Sequence, residues 1–199
     1  MGYQKMKFQA GHVPSHRGRT TATDPIKTSA DVAKIKELIR NHVRNYALFT
    51  VAIGSALRGG DLTKLQWIDT LDDGTTITLK VLEGKTKKPR VIPLNAEASA
   101  ALREWRKHCE SEFIYSGQRG ALTVAQWGRM LKGWCKEVGL EGRFSSHSAR
   151  KTFCRVSHDE HDVPLIVLME ILNHSSPRQT MTYMGSLGDE VKQAYSRVI

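Results

Sequence analysis

Acidic residues are in short supply in this chain: 20 Asp and Glu stand against 30 Lys and Arg, a net charge of +10 over 199 residues. A field of that sign opposes binding to basic partners and draws polyanions, nucleic acid first among them. A solvated basic face gives the same total, so charge alone leaves both readings open. Cysteine is scarcer still. Cys109, Cys135 and Cys154 are odd in number, lie far apart and contain no CxxC pair. They cannot all pair within the chain, and reduced thiols in a cytoplasmic protein are expected. No apolar run is long enough to span a bilayer, so no membrane association is expected. The opening MGYQKMKFQAGHVP lacks the apolar stretch of a secretory leader.

Two familiar catalytic signatures are also missing. EGKT at 83–86 resembles the end of a phosphate-binding loop, but that motif needs Gly five positions before Gly84, and Leu79 stands there. The pair His158 and His161 in HDEH is not HExxH and has no evident third ligand. A solvated helix end is the preferred reading, and no metal site is expected.

What is present divides into a lead-in and a body. Residues 1–28 are basic and rich in Gly, His, Ser and Thr, as befits an arm. Residues 29–199 read as one domain. TSADVAKIKELIR carries Thr28 or Ser29 as a cap and Val32, Ile35, Leu38 and Ile39 on one face. NYALFTVAIGSAL is apolar nearly all round and predicts a central helix. RGGDLTKLQW predicts a two-glycine turn into a short helix. TTITLKVLE alternates and is β-branched, GKTKK is a turn, and PRVIPL is a second strand, with a third strand expected near Trp67 and Ile68. Helical patterns follow at 95–109, 123–138, 147–158, 164–172, 177–184 and 188–197. The expected fold is α+β, mostly α-helical with a small antiparallel β-sheet.

Several polar residues fall at sheltered places, and each has an ordinary explanation when taken singly. Arg58 follows a buried helix end, and an ion pair with Asp61 would satisfy it. Lys85 sits in the hairpin turn as a loop lysine would. His147 and Arg150 share one face near a helix start, as a cap and a surface charge would. His174 ends an apolar helix, where it would favour the helix dipole, and Asn173 before it can cap. Tyr183, nine residues after His174, reads as a packing residue or a nucleophile.

Their order is more informative than any one of them. ALRGGDLTKL, GKTKKPRVIPL, HSARKTF and LNHSSPRQTMTYMG together resemble the boxes of the tyrosine recombinases, the phage-integrase family, over about residues 30–199. The resemblance implies that family's catalytic-domain fold. It implies a site-specific recombinase or integrase that cuts and rejoins double-stranded DNA through a 3′-phosphotyrosine, without ATP, cofactor or metal. Tyr183 would be the nucleophile. Arg58 and Arg150 would bind the scissile phosphate, with guanidinium forks suited to its oxygens. Lys85 would be the general acid, His147 the base or proton relay, and His174 a hydrogen-bond donor to the phosphate. It further implies a homotetramer on DNA, a nucleoid-associated location and a mobile genetic element as the source. Alternatives are a type IB topoisomerase-like relaxing enzyme and a DNA-binding regulator that has lost activity.

The chain departs from the family pattern at Ala56 and Asn173, where Gly is usual, at Asp61 for Glu, at Ala149 for Leu and at Lys151 for His. None of these removes a catalytic group. Most members also carry a helical DNA-clamping domain before the catalytic one. Here only the short arm is expected, which makes an accessory DNA-binding protein a candidate partner. In the C-terminal segment Val191, Ala194, Tyr195 and Val198 share a face that fits either this chain's own core or a neighbour's.

Overall fold

Capping residues and apolar spacing set the helices of the structure, a computed structural model that describes residues 23–117 and 120–196. Most of the expected arm therefore lies outside the described residues. Helix α1 (Ser29–Leu38) starts at Thr28, whose hydroxyl accepts the Asp31 N–H at 3.1 Å. It buries Val32 and Ile35. Helix α2 (Val43–Ser55) is the central one, with Leu48, Phe49 and Val51 fully buried. It ends on Ala56 in the left-handed conformation, φ 52°. A single short turn of helix, α3 (Gly59–Leu62), follows directly.

The three-stranded antiparallel sheet has the order β1 (Thr70–Asp72), β2 (Ile77–Leu82), β3 (Pro89–Pro93), with Lys80 opposite Val91 and Leu82 opposite Pro89. The third strand lies a little beyond its expected place. Trp67–Asp69 instead forms a 3-10 turn, closed by reciprocal bonds between Gln66 and Asp69. Along β2 the inward positions are Ile77 and Leu79, while Lys80 and Leu82 are exposed.

Helix α4 (Ala96–Arg106) is capped by Asn95 and packs on α2. A two-residue ribbon, β4 (Ser116–Gly117) with β5 (Gly120–Ala121), carries too little pattern to be expected from sequence. Helix α5 (Val124–Glu137) begins with a capping box between Thr123 and Gln126. It sends Trp127, Leu131 and Cys135 into the main core, where Trp134 meets Phe49 edge to face at 6.0 Å.

The remaining helices are α6 (Ser148–Asp159), α7 (Leu165–Leu172), α8 (Pro177–Met184) and α9 (Leu187–Ser196). A second buried cluster of Cys154, Leu168, Leu172, Met181 and Met184 joins α6, α7 and α8. Ser176 caps α8 and Pro177 occupies its first turn, a pairing suited to a helix start. The last residues before α1 also belong to the body. Ile26 is buried, its N–H donates to Thr152 Oγ1 at 2.8 Å, and Asp24 exchanges bonds with the Arg143 backbone. All three cysteines are free and buried.

Candidate active site

The six residues singled out by their order come from five separate pieces of chain, and the fold brings them to one place. Arg58 lies at the start of α3. Lys85 projects from the β2–β3 turn. His147 and Arg150 open α6. His174 follows the C-terminus of α7, and Tyr183 lies on α8.

Arg150 is 3% exposed, so its charge requires compensation inside the protein. Its Nη1 donates to the Ala56 carbonyl at 2.5 Å and its Nη2 to the Leu172 carbonyl at 3.2 Å. It thereby satisfies orphan carbonyls at the ends of α2 and α7 together. Both helices terminate in a left-handed residue, Ala56 and Asn173. Asn tolerates that conformation well, and Ala less so. Arg150 also lies close enough to the Tyr183 hydroxyl to favour its phenolate.

Arg58 does not pair with Asp61. Its Nη1 meets Glu83 Oε2 at 2.6 Å, and Glu83 is 2% exposed. Asp61 is occupied elsewhere, because its Oδ1 accepts the Gly84 N–H at 3.0 Å. Glu83 also takes Arg90 at 3.1 Å, and Arg150 Nη1 comes to 3.9 Å. Burial alone would push this carboxyl up. Hydrogen bonds from Thr86, Arg58 and Arg90 outweigh it and hold the group down to about 2.

Glu83 and Arg90 are the site residues that the motif reading left out. A signal for them existed in the strand period. Continuing the inward set Ile77, Leu79 leads to Val81 and Glu83, and on β3 the residues in step with buried Ile92 and Leu94 include Arg90. A carboxylate and a guanidinium on the inner faces of paired strands call for each other.

The two histidines sit against this cationic group. Desolvation, then the charges of Lys151, Arg150, Arg58 and Lys85, lowers the pKa of His147 from its ordinary value. Desolvation, then Arg150 and Arg58, does the same for His174. His174 Nδ1 is 3.0 Å from Thr180 Oγ1, and its ring meets the Tyr183 ring edge to face at 5.3 Å. Tyr183 is half-buried. Desolvation raises its pKa, against the pull of Arg150 and Arg58. The Lys151 ammonium lies 5.1 Å from the Tyr183 ring centroid and donates to the Thr23 carbonyl at 2.7 Å.

Among the described residues, no group of three or more His, Cys, Asp or Glu is gathered around a common point for a metal. His158 Nδ1 faces the Val163 carbonyl at 3.3 Å. No helix among them is long and apolar enough to cross a membrane.

A cluster of two arginines, two histidines and a lysine around one tyrosine is suited to an anionic, tetrahedral substrate group. The phage integrase family model matches residues 25–188. The chain belongs to the phage integrase family. It is 32% identical over 175 residues to the probable integrase/recombinase YoeC of Bacillus subtilis (strain 168), covering 86% of this chain and 94% of that protein. It is 31% identical over 147 residues to the tyrosine recombinase XerC of Xanthomonas axonopodis pv. citri (strain 306), covering 71% of this chain but only 46% of XerC. The chain thus matches about half the length of several XerC and XerD relatives.

Among solved structures, the XerH recombinase in a post-cleavage complex with its difH substrate superposes with a TM-score of 0.70 at 22% identity, over 85% of this chain and 51% of XerH. A lambda integrase tetramer bound to a Holliday junction gives 0.65 at 19% identity, over 83% and 49%. The fold is that of a tyrosine recombinase catalytic domain, and the family's members are DNA strand-transferring enzymes.

Proposed function

We propose that this protein cuts and rejoins double-stranded DNA at specific sites, with Tyr183 as the nucleophile. The observation that carries the reading is the placement of Tyr183 beside Arg150, with Arg58 and His174 near it, and with His147 against the same two arginines and Lys85.

In the reaction, Tyr183 Oη forms a bond to phosphorus and the bond from phosphorus to the 5′-oxygen breaks. The phenol proton passes to His147, whose lowered pKa leaves it neutral and able to accept. The 5′-oxygen leaves with a proton from Lys85. Arg58 and Arg150 carry the charge that builds on the non-bridging oxygens, and preorganised charge of this kind is usually a large part of catalysis. His174 Nδ1 is held 3.0 Å from Thr180 Oγ1, and the tautomer in which that hydroxyl donates to Nδ1 leaves Nε2–H to donate to the phosphate. The ester with Tyr183 stores the bond energy, so a 5′-hydroxyl from another strand reseals the DNA without ATP.

Assembly of several copies on DNA follows from the same reading, and α9 is the segment available for it. Val191 and Tyr195 on that helix are 49% and 89% exposed and Ala194 is exposed, so this face is not spent on the chain's own core. Val198 lies outside the described residues. The relatives are named integrases and recombinases, which favours strand exchange over topoisomerase-like relaxation.

The test is covalent capture. Wild-type protein incubated with a nicked duplex, selected from a random-sequence pool, should form a protein–DNA adduct in the presence of chelator, and the adduct should map to the peptide QTMTYMG. Tyr183→Phe should form none while still binding the duplex, and Tyr195→Phe should react normally. An adduct that maps to Tyr195, or that survives in Tyr183→Phe, refutes the assignment.

A further inference from the structure

We infer that Glu83 is a positioning residue that joins the phosphate-binding Arg58 to the turn carrying Lys85, so that the phosphate clamp and the proton donor are set as one unit. The inference rests on the function proposed above.

The geometry centres on one atom. Glu83 Oε2 forms an ion pair with Arg58 Nη1 at 2.6 Å and accepts the Thr86 hydroxyl, also at 2.6 Å. The other oxygen, Oε1, takes Arg90 at 3.1 Å, which fixes the rotation of the carboxylate. The backbone of Glu83 closes the same turn. Its N–H donates to the Lys88 carbonyl at 3.0 Å, and its carbonyl accepts the Lys87 N–H at 2.9 Å. Lys85 lies inside this loop of bonds and is exposed. The backbone from which its side chain projects is therefore set by Gly84 and Thr86 on either side. Gly84 is held by Asp61 and Thr86 by Glu83. Arg58 is the residue immediately before helix α3 and Asp61 lies within it, so two carboxylates tie one lysine turn to one arginine.

Glu83 is too buried to serve as an acid or base toward DNA, and its negative charge would repel a phosphate. A carboxylate is nevertheless required behind three guanidinium groups, because buried like charges without a counter-ion are costly. Net charge stays positive at the front of the cluster. Placing the lysine on the same anchor as the arginine converts phosphate binding into alignment of the leaving-group proton, and misplacement of about 1 Å can cost about 10²-fold in rate.

The experiment separates the lysine side of the joint from the arginine side. Thr86→Val removes only the hydroxyl link, Thr86→Ser keeps it, and Glu83→Gln weakens both sides. Each variant is first shown to unfold cooperatively, then given two versions of the captured duplex. One has the natural 5′-oxygen at the scissile position. The other has sulfur there, which leaves as a thiolate without needing a proton.

Thr86→Val should form adduct roughly 10- to 100-fold more slowly than wild type on the oxygen duplex, within the range that general-acid catalysis contributes. It should run near the wild-type rate on the sulfur duplex. Thr86→Ser should match wild type on both, and Glu83→Gln should be slow on both. Wild-type rates for Thr86→Val on the oxygen duplex, or an equal deficit on both duplexes, overturn the inference. Failure of wild type to form any adduct overturns the recombinase reading and this inference with it.

Discussion

Arg150 Nη1 donates to the carbonyl oxygen of Ala56 over 2.5 Å, and Ala56 holds a left-handed φ of 52°. The bond explains why the backbone is bent there. The turn out of α2 presents its last carbonyl to the guanidinium and swings the next residue but one, Arg58, toward Glu83. Glycine, having no Cβ to meet the carbonyl, would adopt the conformation freely, whereas alanine carries about 1–2 kcal/mol of strain.

Ala56→Gly should therefore stabilise the protein by about 1 kcal/mol, after the greater freedom of glycine in the unfolded chain is set against the relieved strain. The check is a denaturant titration, in which the midpoint rises and the slope stays the same. An unchanged or lower midpoint means that the left-handed turn is not strained at this site.

Acid stability offers a direct reading of the arginine–carboxylate cluster. Glu83 is held from its ordinary 4.5 to about 2, so its contribution is fully present above pH 4.5 and disappears as pH falls through 2. The stability difference between wild type and Glu83→Gln should be on the order of 3 kcal/mol near neutrality and should shrink between pH 5 and pH 2. A difference that stays constant across that range shows that the carboxylate charge is not what the glutamine variant lacks.

Residues 1–22 contain Lys5, Lys7, Arg17 and Arg19 and no acidic residue. Truncation should stop there, because Thr23, Asp24 and Ile26 bond Lys151, Arg143 and Thr152 in the body. If all four charges meet DNA phosphates, the truncated chain should lose up to about 3.6 from the slope of log affinity against log salt, at roughly 0.9 per phosphate. Thermal unfolding should change little. Equal slopes for the two chains mean that these four residues do not contact DNA.

The parts of the site that could be read in the sequence are those whose spacing is local. His147 and Arg150 lie one helical turn apart, the strands alternate, and Thr28, Asn95 and Ser176 are side-chain caps where helices begin. Arg58 was harder. Asp61 is three residues away and was the natural partner to expect, yet the carboxylate that meets Arg58 lies 25 positions on, at the far end of a strand. That choice is settled by tertiary packing, which delivers Glu83 to the buried side of the hairpin and leaves Asp61 to cap Gly84. Strand parity puts Glu83 on the inner face, whereas the Gly and Lys of the adjoining turn signal charge and exposure. The Lys151 contact with Tyr183 was hidden for the same reason, because it depends on how α6 crosses α8.

The base assignment can be tested in the DNA-free protein and then in the reaction. His147 is opposed in its protonated form by desolvation and by the charges of Lys151, Arg150, Arg58 and Lys85. Its ring resonances should therefore titrate below the ordinary 6.5. Lys151→Met removes the first of those charges and should move the titration upward. A base acts only when neutral, so adduct formation should rise with pH through the same depressed value and level off by neutrality. His147→Gln should lower the level by about 10²-fold or more and abolish the rise. If His147 titrates above 6.5, or if the glutamine variant keeps the same pH profile, the proton of Tyr183 leaves by another route.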